Sequence, residues 1–221
     1  MRRSLAVIAV SAAAACAFSL NANAAAKAPI RTYTEQASIA FTGIGPDQGF
    51  YSKGGGAETV VLSPRLALAS TSGTSNRLSG KVHNTSSRFD IVGSHTYVKQ
   101  GSGRWVIGTL TAKVRADDEQ ALNPYTSLAR FDQLPGVRRV SPGHYRVTGP
   151  LAKLGPFVRY EWGLAANAFE GSGIKTLTVT AVLDSGGRPV TFTASGRSAN
   201  NVLTATETFG HYNKPVTIAA P

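Results

Sequence analysis

Apolar and polar residues alternate with a period of two along most of this chain, the pattern of β-strands with one buried face. Over residues 33–42, Tyr33, Ala37, Ile39 and Phe41 share one face with Glu35; Thr34, Gln36, Ser38 and Thr42 take the other. Strand pattern returns over 58–62 and 65–70, around Pro64, which marks a bulge or a sheet edge. Residues 88–92 put Phe89 and Ile91 on one side and Arg88 and Asp90 on the other. Gly93-Ser94 then turns the chain into 95–99, centred on Tyr97, and a further turn at 100–103 leads to a strand over 104–107 carrying Trp105. Residues 109–115 alternate again. After the middle of the chain come a strand through Tyr145 and Val147, then 175–183, 190–195 and 202–209. Threonines oppose the apolar residues in several of them, as in Thr176, Thr178 and Thr180 against Leu177, Val179 and Ala181. Glycine-rich 43–56 and polar 70–80 are predicted as loops.

Two segments change period. Residues 117–134 open with Asp117, Asp118 and Glu119, acidic residues suited to a helix N-terminus. They continue with Leu122, Tyr125, Leu128, Ala129 and Phe131 at roughly helical spacing, and Pro135-Gly136 ends the run. Residues 157–169 place Phe157, Tyr160, Glu161, Leu164, Ala165 and Ala168 at three- and four-residue steps. Many antiparallel strands with two short helices predict an α+β domain.

The first 24 residues read as an export signal: Arg2 and Arg3, a short apolar run, then Ala22-Asn23-Ala24 as a cleavage site. Residues 25–221 follow as a single domain, with no repeat or long linker. Cys16, the only cysteine, lies inside the signal, where Ala13-Ala14-Ala15-Cys16 is a degenerate lipidation motif. Cleavage after Ala24 leaves no thiol, so a hydrophobic core must carry stability. The net charge of +11 draws the protein to polyanions. For an exported chain these are anionic lipid headgroups or acidic wall polymers, with membrane surface a partner and nucleic acid not one. The expected location is secreted or envelope-associated.

Chemistry is sparse. His83, His95, His144 and His211 have no ligand spacing, and neither HExxH nor CxxC occurs. There is no GxSxG elbow; Gly101-Ser102-Gly103 reads as a turn. Gly54-Gly55-Gly56 lacks the lysine and the helix of a phosphate loop. No metal, cofactor or catalytic residue is predicted, and the chain is not read as an enzyme. The aromatic residues of the strands carry more information. They either pack a solid core or line a hollow that the helices close. The hollow would suit an acyl chain. Its expected lining is Ile39, Phe41, Phe89, Ile91, Tyr97, Trp105, Leu128, Phe131, Tyr160, Leu164, Leu177, Val179, Val190 and Phe192.

Three motifs carry a resemblance over the part of the chain from Phe89 onward. They are Tyr97-Val98-Lys99 with Trp105 after it, Asp184-x-x-Gly187-Arg188-Pro189-Val190, and Tyr212-x-Lys214-Pro215-Val216-x-Ile218. In these the chain resembles actinobacterial lipoproteins of the LppX/LprG type, whose fold is similar to the LolA/LolB carriers. The resemblance implies a strongly curved antiparallel sheet, a half-barrel, with helices over a hydrophobic concave face. It also implies binding of lipids or lipidated molecules at the envelope. Two departures are the degenerate motif at Cys16 and the missing helix before the first strand. The reading is thus an exported, non-enzymatic lipid- or lipoprotein-binding carrier. The alternative is a structural or interaction protein of the envelope, with a solid core and a basic surface for anionic wall polymer or headgroups.

Overall fold

The computed structural model describes residues 28–43, 51–63, 66–78, 81–163 and 166–221. The expected signal, its expected cleavage site and Cys16 lie outside them. The first strands are β1 (Thr32–Gly43), β2 (Tyr51–Val61), β3 (Ala67–Leu78), β4 (Lys81–Val92), β5 (His95–Gln100) and β6 (Val106–Thr109). Helices α1 (Ala112–Leu122) and α2 (Pro124–Asp132) follow, then β7 (Arg138–Ser141) and β8 (His144–Pro150). Helices α3 (Leu151–Trp162) and α4 (Ala166–Gly171) lead to β9 (Thr176–Leu183), β10 (Pro189–Arg197) and β11 (Asn201–Gly210).

These strands make one 11-stranded sheet in the order β6-β5-β4-β3-β2-β1-β11-β10-β9-β8-β7. Every neighbouring pair is antiparallel. The terminal strands β6 and β7 do not pair with each other, so the sheet is an open half-barrel with helices, as the sequence predicts. Chain order equals sheet order except that β1 joins β11, which brings the two ends of the domain side by side.

Each predicted helical segment is a pair of helices. Asn123 ends α1 and caps α2, its side chain accepting from the Tyr125 amide at 3.0 Å, and Pro124 opens α2 where its missing N–H costs nothing. Gly163, at φ +53°, ends α3. Helix α1 also starts earlier than the acidic run, capped by Thr111, so 112–115 is helix and not strand. Asp117, Asp118 and Glu119 fall in mid-helix. The predicted loops at 51–56 and 70–78 are strand instead. Their polar residues pair across strands, Ser72 with Ser87 and Thr74 with Thr85, each at 2.7 Å between hydroxyls, a recognised source of sheet stability.

Helices α2 and α3 cover β8, β9 and β10. An aromatic chain fills the space beneath them. Phe157 meets Phe131, Phe192 and Trp162 at centroid distances of 5.8, 5.9 and 6.1 Å. Phe192 meets Phe209, and Phe209 meets Tyr33, at 5.9 Å each. Edge and tilted contacts of this kind contribute about 0.5–1.5 kcal/mol apiece beyond burial. The last carbonyls of α1, which a helix leaves without partners, are taken up by side chains. Thr126 donates to Gln120 at 2.8 Å, Tyr160 to Ala121 at 3.2 Å and Tyr33 to Leu122.

Two of the three motifs behind the resemblance, Asp184–Val190 and Tyr212–Ile218, meet structurally. Asp184 accepts from the Gly186 and Arg188 amides, both at 2.9 Å, and from the Arg188 Nε at 2.7 Å. Partial burial pushes its carboxyl up, but the Arg188 hydrogen bonds and charge, with the Gly186 amide, outweigh that and hold it below the usual value. Arg188 stacks over Tyr212 at 5.0 Å, and the Tyr212 hydroxyl donates to the Pro189 carbonyl. Burial, the largest cause, pushes the Tyr212 hydroxyl well above its normal range. The chain after Tyr212 grips the entry to β1. Asn213 accepts from the Arg31 amide at 2.7 Å and donates to the Pro29 carbonyl at 3.1 Å, and Thr32 donates to the Lys214 carbonyl at 2.7 Å.

Candidate functional site

The inner face of the sheet changes character from one side to the other, and strand register shows how. One continuous row runs Val147, Val179, Ala194, Ala205, Ile39, Gly54, Thr74, Thr85 from β8 to β4. The next runs Tyr145, Ala181, Phe192, Glu207, Ala37, Gly56, Ser72, Ser87, Gln100 from β8 to β5. Under the helices the rows carry branched and aromatic residues that fill the interior. Across β1 to β4 they carry, apart from Ile39, alanine, glycine, serine and threonine, which do not.

The result is a groove of about 780 Å³ over β1–β4. Ala37, Ile39, Gly54, Gly56, Ser72 and Thr74 form its floor, and Gln100 and Gly101 lie at its rim towards β5. Trp162, buried at the end of α3, forms the wall on the helical side. The hydroxyls of the floor are engaged with one another, as in Ser72–Ser87 and Thr74–Thr85. A side chain started at Gly54 would meet the Thr74 methyl at 3.6 Å, so this threonine turns carbon towards the groove.

One end of the groove is acidic. Glu35 and Glu58 stand opposite each other on β1 and β2. Ser70 donates to Glu58 at 3.1 Å. Glu35, Glu161 of α3 and Glu207 of β11 are buried. All four glutamates are engaged by neighbours. Their signal was visible in the sequence: Glu35 falls on the apolar face of its strand and Glu161 within the apolar stripe of its helix.

The residues expected to line a hollow are distributed as follows. Ile39 lines the groove. Phe41 and Phe89 share its side of the sheet and pack half-buried against the core. Ile91, Leu128, Phe131, Leu177, Val179 and Phe192 are buried in the filled interior. Tyr160 lies half-buried on α3 with Arg130 at 3.9 Å from its ring centroid, and Val190 is half-buried where β10 slips register between Pro189 and Thr191. Tyr97 pairs with Asp90 on the opposite face from Phe89. Trp105 precedes β6 and lies beside Arg88 and Lys99, on the Tyr97 side. Leu164 lies outside the described residues. Sequence pattern did not reveal the glycine and hydroxyl floor, because those segments read as loops.

Among the described residues no group of three metal-ligating side chains occurs, and no helix is long and apolar enough to cross a membrane. The hydroxyl–imidazole contact of Thr34 with His211, 3.2 Å, is exposed. Thr34 belongs to the strand face opposite Glu35 and Ala37, so this pair stands away from the groove.

The chain is similar in fold to two solved mycobacterial structures. LprF from Mycobacterium bovis matches with 13% identity and a TM-score of 0.39, covering 85% of this chain and 89% of that one. Lipoprotein LppX from Mycobacterium tuberculosis matches with 14% identity and a TM-score of 0.36, covering 86% and 90%. A β-barrel-like protein of unknown function from Brucella abortus matches at 9% identity and a TM-score of 0.24, covering 82% and 98%. No family model and no curated protein matches the chain.

Proposed function

We propose that this protein is an exported, non-enzymatic carrier that holds the acyl chain of a lipid or lipidated molecule in the β1–β4 groove. The observation that carries this reading is the groove itself. Its volume of about 780 Å³ falls in the range of ligand sites, roughly 300–1,000 Å³. Its floor offers Ile39, Ala37, glycine backbone and the Thr74 methyl, while its serine and threonine hydroxyls bond to each other. Such a surface suits a chain of methylenes, each of which contributes about 0.8 kcal/mol on burial. Glu35, Glu58 and Ser70 give the groove one polar end, where a headgroup or water would sit. Of the lining expected from sequence, Ile39 is the residue assigned to the ligand; Phe41 and Phe89 flank it.

Displacement of a fluorescent fatty acid at low and high salt tests the proposal. Groove binding survives high salt, because contact with an acyl chain involves no charge. Binding that disappears with salt supports the second reading, an envelope protein whose basic surface holds anionic polymer or headgroups. That reading draws support from the other half of the interior, where Phe131, Phe157 and Phe192 pack against one another beneath the helices.

A further inference from the structure

Among the described residues, three large hydrophobic side chains are exposed, and two of them are neighbours in one edge strand: Val106 and Ile107 of β6, 67% and 64% exposed. They point to opposite faces of the sheet. Val106 pairs with Val98, in the inner row that contains Phe89, and Ile107 pairs with Tyr97 on the outer side. A rigid partner lying on one face would cover only one of them. A fluid apolar medium surrounds both when the edge enters it.

The surroundings of this edge are cationic and aromatic. Trp105, the residue before β6, has Arg88 at 5.4 Å and Lys99 at 5.8 Å from its ring centroid. Asp90 neutralises Arg88 at 3.0 Å. Among the described residues, Lys99 and the exposed Arg104 have no acidic partner within ion-pair distance. A tryptophan flanked by unpaired cations next to exposed aliphatic residues is suited to the boundary between headgroups and acyl chains, where indole rings are enriched and basic side chains reach anionic lipid.

We propose that the β5–β6 edge is a docking surface for an anionic lipid bilayer, with Val106, Ile107 and Trp105 entering the interface and Lys99 and Arg104 meeting the headgroups. A second copy of the chain fits less well. β6 is only four residues long, and an edge that short makes few of the ladder hydrogen bonds that join two sheets. Gln100, the last residue of β5, and Gly101, which opens the turn after it, also line the groove. The docked edge would therefore hold the groove rim close to the membrane. Docking does not require that the groove be filled, so it stands or falls separately from the carrier reading.

Flotation with lipid vesicles tests this, using full-length protein exported from its host with Cys16→Ser throughout, so that no acyl anchor contributes. Phosphatidylcholine vesicles containing phosphatidylglycerol should bind the protein, and phosphatidylcholine alone should bind it at least roughly tenfold less. Lys99→Gln and Arg104→Gln should each lower partitioning about fivefold, and Val106→Asn with Ile107→Asn about tenfold. Arg104, Val106 and Ile107 are exposed and Lys99 is half-buried beside Trp105, so thermal melting should change little. In the Cys16→Ser parent, brominated acyl chains should quench Trp105, the more exposed of the two tryptophans. Absence of binding to phosphatidylglycerol vesicles overturns the proposal. So does a double variant that binds like the parent, an unquenched Trp105 in bound protein, or a dimer in solution that Val106→Asn dissociates.

Discussion

Ile39 of β1 stands directly opposite Gly54 of β2 on the inner face of the sheet. One residue supplies an apolar wall, and the other supplies the space beside it. A Cβ at Gly54 would have only ordinary contacts, 3.6 Å to the Thr74 methyl and 3.8 Å to the Gly73 carbonyl. The strand could carry a side chain there, and the groove exists because it does not.

Gly54→Leu should therefore fill the groove without breaking the sheet. Loss of contact with several methylenes predicts at least a roughly tenfold weaker affinity for a fluorescent fatty acid. The melting temperature should change little. Displacement titration reads the first effect and calorimetry the second; unchanged affinity would place the ligand elsewhere.

Gly56 should behave differently. A Cβ there would lie 2.6 Å from the Thr71 carbonyl oxygen, a backbone atom of β3 that cannot swing aside. Gly56→Ala should cost about 1–3 kcal/mol of stability by strain between β2 and β3, measured by urea unfolding.

Asp118 gives a pH dependence. Burial, with Asp117 adding repulsion, pushes its carboxyl up to about 6. The folded state thus binds this proton more tightly than the unfolded chain, whose value is 3.8. Stability from this group is full below the unfolded value and falls as pH rises to about 6. Asp118→Asn should stabilise the protein at pH 7 by about 1 kcal/mol after allowance for solvent screening. Below the unfolded value it should make almost no difference. Unfolding curves at both ends of that range check the sign.

Asn213 is predicted to hold the two ends of the domain together. Its backbone is left-handed, at φ +57°, which asparagine tolerates better than alanine. Its side chain bonds to Arg31 and Pro29. Asn213→Ala loses both bonds and adds backbone strain, for a cost of about 1–3 kcal/mol. Asn213→Gly keeps the backbone and should recover part of it. Hydrogen exchange at Arg31 should speed up in both.

Much of the fold was legible because the period of two is a local property. Residues 33–42, 88–92 and 175–183 can bury one face only as strands, and Pro135-Gly136 can only end a helix. Helix boundaries were less so. The 109–115 stretch alternates, yet the Thr111 cap takes it into α1. The polar 70–78 segment has the composition of a loop, but Ser72 and Thr74 find hydroxyl partners on β4, and that pairing makes it strand.

The sequence by itself determined that this chain makes alternating strands and two helical regions, with a basic charge and a resemblance to envelope lipoproteins. Only the tertiary structure decided which apolar faces meet the helices and which face a groove. That choice depends on register, since a position's neighbours come from strands distant in sequence. Gly54 leaves a groove because Ile39 and Thr74 are its neighbours, while Ala194 is buried because Val179 and Ala205 are its own. Residue type sets how much space a side chain fills; the pairing of strands sets whether anything else fills the rest.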